Sequence, residues 1–338
     1  MKKSLIALAV LATTSAAMAQ SSVTLFGRLD AGLANVKTET TGAASVSQTK
    51  IDSSIMRTTY WGMKGSEDLG GGLKANFDLQ AGFAIDTGVG NAGLFERHAN
   101  VGLSGGFGAV NLGRVYTSYY SLFSATNNIT DGNVATTGKV WATGAAATTV
   151  RASNAVRFDT ADFGGFSGSV TYALNEAAPP ASNENGTNLS LHVKYAAGPI
   201  LVGVAYEEVK AAYLTPAAAP AATKNTLIAG SYDLGVAKLT GGYNMASDAT
   251  RDDKEYQLGV NVPVGAAAVV MLGYTRSKST GTGLAELTGK GYTIAGSYNL
   301  SKRTSLYAAF VNTEVETGTT TVSNAETRTF GAGVVHLF

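Results

Sequence analysis

The stretch Leu73-Lys74-Ala75-Asn76-Phe77-Asp78-Leu79-Gln80-Ala81-Gly82-Phe83 decides how this chain folds. Apolar side chains take every second position, and Lys74, Asn76, Asp78 and Gln80 fall between them. A repeat of two belongs to an extended strand with one greasy and one wet face. The same alternation runs through Val23, Leu25, Leu29 and Ala31, set against Thr24, Arg28 and Asp30. It returns from Leu189 to Tyr195, from Tyr256 to Val262 and from Tyr292 to Tyr298.

In a soluble sandwich each apolar face would be buried on a second sheet. Two features favour lipid instead. The segments run about ten residues, the length of a tilted transmembrane strand. Aromatics also gather at segment ends, at Tyr172, Tyr195, Tyr206, Tyr232, Tyr243, Tyr274, Tyr298 and Phe338, where an interfacial girdle belongs. A sheet in hydrocarbon must close, because an open edge leaves backbone groups unpaired. The expected fold is all-β, a transmembrane antiparallel β-barrel.

The connections set its size. Short turns fall at 68–72, 105–108, 162–165, 197–199, 234–236, 264–266 and 300–302. Longer polar stretches fall at 35–54, 85–93, 118–148, 176–186, 210–224, 247–252, 278–288 and 315–325. Seven short turns alternating with eight long loops predict about sixteen strands, with both termini on the short-turn side. That number encloses an aqueous channel rather than a packed interior. The loop at 118–148 shows no alternation and carries Tyr119, Tyr120, Phe123 and Trp141. Aromatics that need burial predict that it folds inside the barrel.

Composition agrees. Gly is abundant at 41 and Pro scarce at 6, with Tyr 15 and Phe 12, a profile of many short strands. No run of apolar residues beyond the N-terminus reaches the length of a spanning helix. Lys2 and Lys3, the apolar run Ser4 to Ala12 and the small-residue pattern Ala17-Met18-Ala19 predict an export leader over 1–19. The barrel then occupies 20–338 as one domain. Removing the leader takes two of the 25 Lys and Arg, leaving 23 against 24 acids. A net charge near zero argues against a nucleic-acid partner. There is no cysteine, so the exported fold holds without disulfides.

Several motifs carry no chemistry in this setting. Gly88-Val89-Gly90-Asn91-Ala92-Gly93 lacks the following helix that a dinucleotide site needs. Gly102-Leu103-Ser104-Gly105-Gly106 leads into a turn, not the helix of a nucleophile elbow. His98, His192 and His336 have no metal-ligand spacing. No metal, cofactor or enzymatic activity is expected.

The sequence resembles the general porins of the Gram-negative outer membrane. The resemblance rests on Ser22-Val23-Thr24-Leu25-Phe26-Gly27-Arg28 at the opening, Trp61-Gly62-Met63-Lys64-Gly65, Val101-Gly102-Leu103-Ser104-Gly105, Leu112-Gly113-Arg114-Val115-Tyr116, Ser153-Asn154-Ala155-Val156-Arg157-Phe158 and the terminal His336-Leu337-Phe338. These blocks span the chain in the family's order. Two departures stand out: Tyr60 occupies a position where many members have Arg, and Asn100 replaces a usual aromatic.

The resemblance implies an outer-membrane homotrimer in contact with lipid, assembled through recognition of Phe338, passing small hydrophilic solutes and ions by passive diffusion. It also implies a third loop that narrows the lumen opposite a basic cluster, onto which Arg28, Arg97, Arg114 and Arg151 map. Arg157 adds to the wet face. Periodicity agrees for Arg28, which shares a face with Thr24 and Asp30, and for Arg151 and Arg157, which share one with Ser153. It disagrees for Arg97, in phase with Val101, and Arg114, in phase with Leu112. An arginine against mid-membrane lipid costs about 2–4 kcal/mol, and the resemblance turns both inward. Between Thr117 and Thr149 only Asp131 is acidic and Lys139 basic, so the expected constriction is positive and prefers anions. Asp30 and Glu96 are wall acids that could rebalance it. An adhesion barrel is the alternative, and it would require neither the basic cluster nor the long third loop.

Overall fold

The computed structural model describes residues 22–129, 131–141, 149–174, 186–210, 222–318 and 323–338. The expected leader lies outside them. The alternating segments form 17 strands in a single antiparallel sheet. β1 (Ser22–Thr40) and β17 (Ser323–Leu337) close it, in register from Arg28↔Leu337 to Thr40↔Ala325. The last residue completes the seam. Phe338 N–H donates to the Gly27 carbonyl at 3.2 Å, and Gly27 N–H donates to the Phe338 carbonyl at 3.1 Å.

β2 (Val46–Ser53) and β3 (Tyr60–Gly70) both pair with β1. β2 takes Ala31 to Thr38, and β3 takes Ser22 to Arg28. They are two halves of one stave interrupted at 54–59, so 17 segments make a sixteen-stranded barrel. The wall continues through β4 (Leu73–Gly82), β5 (His98–Gly105), β6 (Gly108–Tyr116), β7 (Arg151–Thr160), β8 (Phe166–Ala173) and β9 (Asn188–Ala197). β10 (Ile200–Lys210), β11 (Ala222–Asp233), β12 (Lys238–Ser247) and β13 (Asp252–Val264) follow. β14 (Ala268–Thr280), β15 (Leu287–Asn299) and β16 (Thr304–Thr317) complete the wall.

All seven expected short turns join successive strands at one end of the barrel. The other end differs from expectation in one respect. Residues 35–54 are mostly strand, and the β1–β2 ladder runs out to Thr38↔Val46. β13 and β14 likewise pair to Asp252↔Thr280, so the stretch at 278–288 shrinks to 281–286. Beyond the membrane both faces of a strand meet water, so polarity no longer alternates although the hydrogen bonds continue.

The two faces separate as the period-two pattern requires. Leu258 is 58% exposed and Ile294 51%, whereas inward Gln257 and Thr293 are 2% and 1%. Apolar outside and polar inside inverts a soluble protein and fits a lipid-facing wall. Tyr172, Tyr232, Tyr243, Tyr274, Tyr298 and Phe338 are all exposed.

Ile294 lies on the outer face between Tyr292 and Tyr298, while Ser297 lies on the inner face. Ile294→Arg is expected to cost about 2–4 kcal/mol in urea unfolding from lipid vesicles, and Ser297→Arg far less. Equal losses at both positions would refute the assignment of faces.

Candidate functional site: the constriction inside the barrel

Two segments leave the wall and fold inward. The first begins with α1 (Ser118–Thr126), started by Thr117, whose hydroxyl accepts from Tyr120 N–H at 3.1 Å. Tyr119, Leu122 and Phe123 share one side of the helix and bury against Ala205, Leu227 and Ala229 of β10 and β11. The wall is thinned to receive it: a Cβ on Gly203 would sit 2.8 Å from Leu122 Cδ1. The chain then crosses the lumen. Asn128 Nδ2 donates to the Leu272 carbonyl at 2.8 Å, and Thr293 Oγ1 donates to the Val134 carbonyl at 2.7 Å. α2 (Thr137–Val140) is anchored where Ser277 Oγ donates to the Val140 carbonyl at 2.8 Å. The described residues of the loop lie inside the barrel, as its aromatics predict.

The second segment is the interruption at 54–59, which nothing in the alternation foretold. Asp30, fully buried, holds it. Its carboxylate accepts Met56 N–H at 2.7 Å, Arg57 N–H at 2.5 Å and the Tyr307 hydroxyl at 2.6 Å. Ser54 takes a left-handed conformation at the point of departure (φ 60°). The two inward segments then pair: Asn133 N–H donates to the Ser54 carbonyl at 2.8 Å and Val134 N–H to the Ile55 carbonyl at 3.0 Å. Ile55, Met56, Ile129 and Val134 pack together beneath this contact.

Where they meet, Arg28 forms an ion pair with Asp131 and donates through Nε to the Thr58 carbonyl at 2.9 Å. Asp131 also accepts the Thr58 hydroxyl and, at 3.2 Å, the Thr58 N–H. Burial alone would raise the Asp131 carboxyl, but Arg28, the Thr58 hydroxyl and Arg97 hold it below the usual carboxylate range. The loop's acid makes its ion pair with one arginine, while its field also reaches Arg57 and Arg97.

Arg97 lies just ahead of β5, so strand parity does not govern it; it is buried with its guanidinium 4.6 Å from the Tyr60 ring centre. Arg151 stacks 4.7 Å from the Tyr116 ring centre and donates to the Tyr116 hydroxyl at 3.0 Å. Its shared phase with Arg157 does not survive. The β6–β7 register shifts between Gly113 and Val115, and Asn154 turns left-handed (φ 52°), so the face changes along β7. Arg157 pairs with Asp159 at 2.6 Å and donates to Ser121 Oγ at 2.8 Å, which ties α1 to the wall.

Arg114 keeps its phase with Leu112. It donates to the Glu96 carbonyl and, at 2.8 Å, to Ser153 Oγ, away from the Arg28–Asp131 contact. Lys139 is exposed and donates to the Asn133 carbonyl at 2.6 Å. Neither wall acid forms an ion pair with the cluster, although the field of Asp30, the clamp described above, reaches Arg57 and that of Glu96 reaches Arg114. The Glu96 carboxylate accepts Gly82 N–H at 3.0 Å and Asn91 Nδ2 at 2.9 Å.

Arg57 is the residue that sequence reading missed. It is half-buried on the inward segment, and its electrostatic neighbours are Arg28, Asp131 and Asp30. Among the described residues no carboxylate lies within ion-pair reach of Arg57, Arg97 or Arg151. No cluster able to hold a metal ion occurs among those residues.

The Gram-negative porin family matches residues 4–318. Outer membrane porin protein 32 of Delftia acidovorans is 39% identical over 325 residues, spanning 91% of this chain and 88% of its own. An outer membrane porin protein of Bordetella pertussis is 29% identical over 363 residues, spanning 91% and 93%. Among solved structures, an anion-selective porin from Comamonas acidovorans aligns with a TM-score of 0.78 at 27% identity. It covers 94% of this chain and all of that one. OmpT of Vibrio cholerae, with a TM-score of 0.67 at 13% identity and coverage of 94% and 98%, shares the fold.

The Asp30 clamp can be tested directly. Asp30→Ala leaves buried donors unpaired and is expected to cost about 3 kcal/mol, read as earlier urea unfolding of the folded barrel. Wild-type stability in this variant would exclude the clamp.

Proposed function

This chain belongs to the Gram-negative porins, and from that premise we propose that its constriction selects anions. It is an outer-membrane porin, a passive channel for small hydrophilic solutes and ions. Selection by such a channel depends on the charges lining its narrowest part and on binding weak enough for release. One observation carries the anion reading. Asp131 is paired with Arg28 and Asp159 with Arg157, while Arg57, Arg97 and Arg151 have no acid partner among the described residues. A potassium ion entering this region meets uncompensated positive charge; a chloride ion finds unpaired guanidinium groups. The anion-selective porin that shares the fold supports the same reading.

We further propose a homotrimer, as the family resemblance implies, exported by its 1–19 leader and recognised by the assembly machinery through Phe338. The exposed apolar wall, with Leu258 and Ile294 pointing outward, supports contact with outer-membrane lipid.

Reversal potentials across a planar bilayer under a KCl gradient test the selectivity. The wild type is expected to pass chloride in preference to potassium. Replacing Arg57, Arg97 and Arg151 together by Gln should bring the permeability ratio near unity. Clear cation preference in the wild type would overturn the proposal.

The Asp131 pair adds a pH dependence. A depressed carboxylate keeps its pair above the ordinary value and loses it as pH falls through its own lower one. Loss of this pair should therefore add to anion preference only below the usual carboxylate range, near 3.9. Asp131→Asn should show the higher preference already at pH 7. An Asn variant with wild-type preference would exclude the pair as a source of compensation.

A further inference from the structure

We propose that Tyr60 is a positioning residue for ion selection, whose ring holds the Arg97 and Arg28 guanidinium groups without cancelling their charge. The inference rests on the anion-preferring reading above and goes beyond it by naming what holds the charges in place. A carboxylate can fix an arginine, but it neutralises it at the same time. An aromatic face attracts a cation through its quadrupole and carries no net charge. A constriction that must remain positive gains from the second device.

The geometry is specific. Tyr60 opens β3 immediately after the inward segment and pairs directly across from Arg28 in the β1–β3 ladder. Arg97 Cζ lies 4.6 Å from its ring centre and Arg28 Cζ 5.3 Å. The ring is itself braced by Phe26, edge-on at 6.1 Å and 77°. Among the described residues Arg97 has no ion pair and its buried Nε has no hydrogen-bond partner, so it needs such a support. Arg151 on Tyr116 repeats the arrangement in β6 and β7.

Without the ring, Arg97 is free to turn toward Asp131, the acid whose field already reaches it. Formal charge would not change, yet the positive field would be partly quenched. A change of selectivity at constant charge is therefore the diagnostic.

The test compares wild type, Tyr60→Phe, Tyr60→Leu and Tyr60→Met in planar bilayers under a KCl gradient. Leu and Met are expected to lower the chloride-to-potassium permeability ratio about twofold or more. Phe should restore the wild-type ratio, because it retains the ring. Met preserves bulk and keeps the test open if the Leu variant does not assemble. Single-channel conductance at about 1 M salt, where screening acts within about 3 Å, should stay near wild type in every folded variant. Wild-type ratios in Leu and Met would overturn the role of the ring, and so would a Phe variant as impaired as Leu. A wild type lacking anion preference is a separate outcome: it removes the function reading first, and this inference with it.

Discussion

In hydrocarbon a backbone N–H or C=O has no water to turn to, and leaving it unpaired costs several kcal/mol. That constraint organises this protein. It forces the sheet to close at the β1–β17 seam, where 13 residue pairs run from Arg28↔Leu337 to Thr40↔Ala325 and Phe338 adds two more backbone bonds to Gly27. Closure at sixteen staves then sets the interior width. A barrel of this size is too wide for its own inward side chains to fill. The lumen is open unless something else enters it, and two segments of the chain do.

Both entering segments solve a burial problem of their own. Residues 127–129, 131–136 and 54–59 are irregular backbone at membrane depth, tolerable only because they lie inside the wall and find partners there. They supply some of those partners to each other, through Asn133 to Ser54 and Val134 to Ile55. The remaining partners come from inward Thr and Ser residues of the wall, and from the Asp30 carboxylate, which accepts two backbone N–H groups and the Tyr307 hydroxyl. This has an electrostatic consequence. Asp30 is used for architecture, and Asp131 and Asp159 are each matched to an arginine. Asp30 keeps its charge, which reaches Arg28 and Arg57, yet among the described residues Arg57, Arg97 and Arg151 have no acid in ion-pair contact.

The barrel was legible in the sequence because lipid outside and water inside mark opposite faces of every membrane-crossing strand. Leu73 to Phe83 alternates for that reason, and the seven short turns followed from brief breaks in the pattern, six of them containing Gly. Legibility fails wherever that asymmetry ends. Residues 35–40 and 46–53 read as loop because both of their faces meet water, yet they are strand. Arg57 was invisible because Ser54 to Thr59 leaves the ladder, so no phase exists to assign it. Arg97 was assigned a phase it does not obey, being outside β5 by one residue. Arg151 was placed by a parity that the irregularity at Asn154 breaks. Tyr60 was legible only as a departure from a family pattern; what it touches could not be read without the fold. The third loop's burial was legible from Tyr119, Phe123 and Trp141, since aromatic side chains of that size need cover.

A group of arginines around a lumen raises a question of balance. Like charges at close range repel, and each guanidinium brought into a confined, partly dehydrated space adds to that cost. The protein meets it by distributing the charges over separate supports rather than by pairing each with an acid. Arg57 rides on a backbone segment fixed by Asp30, Arg97 leans on Tyr60, and Arg151 lies on Tyr116. Tyr60 lies on β3 and Tyr116 on β6, and the field of Arg151 still reaches Arg97. Conduction needs attraction strong enough for entry and weak enough for release, and supports fixed to separate strands limit how far the guanidinium groups can converge on one anion. The positions of the supports therefore matter as much as the number of charges they carry.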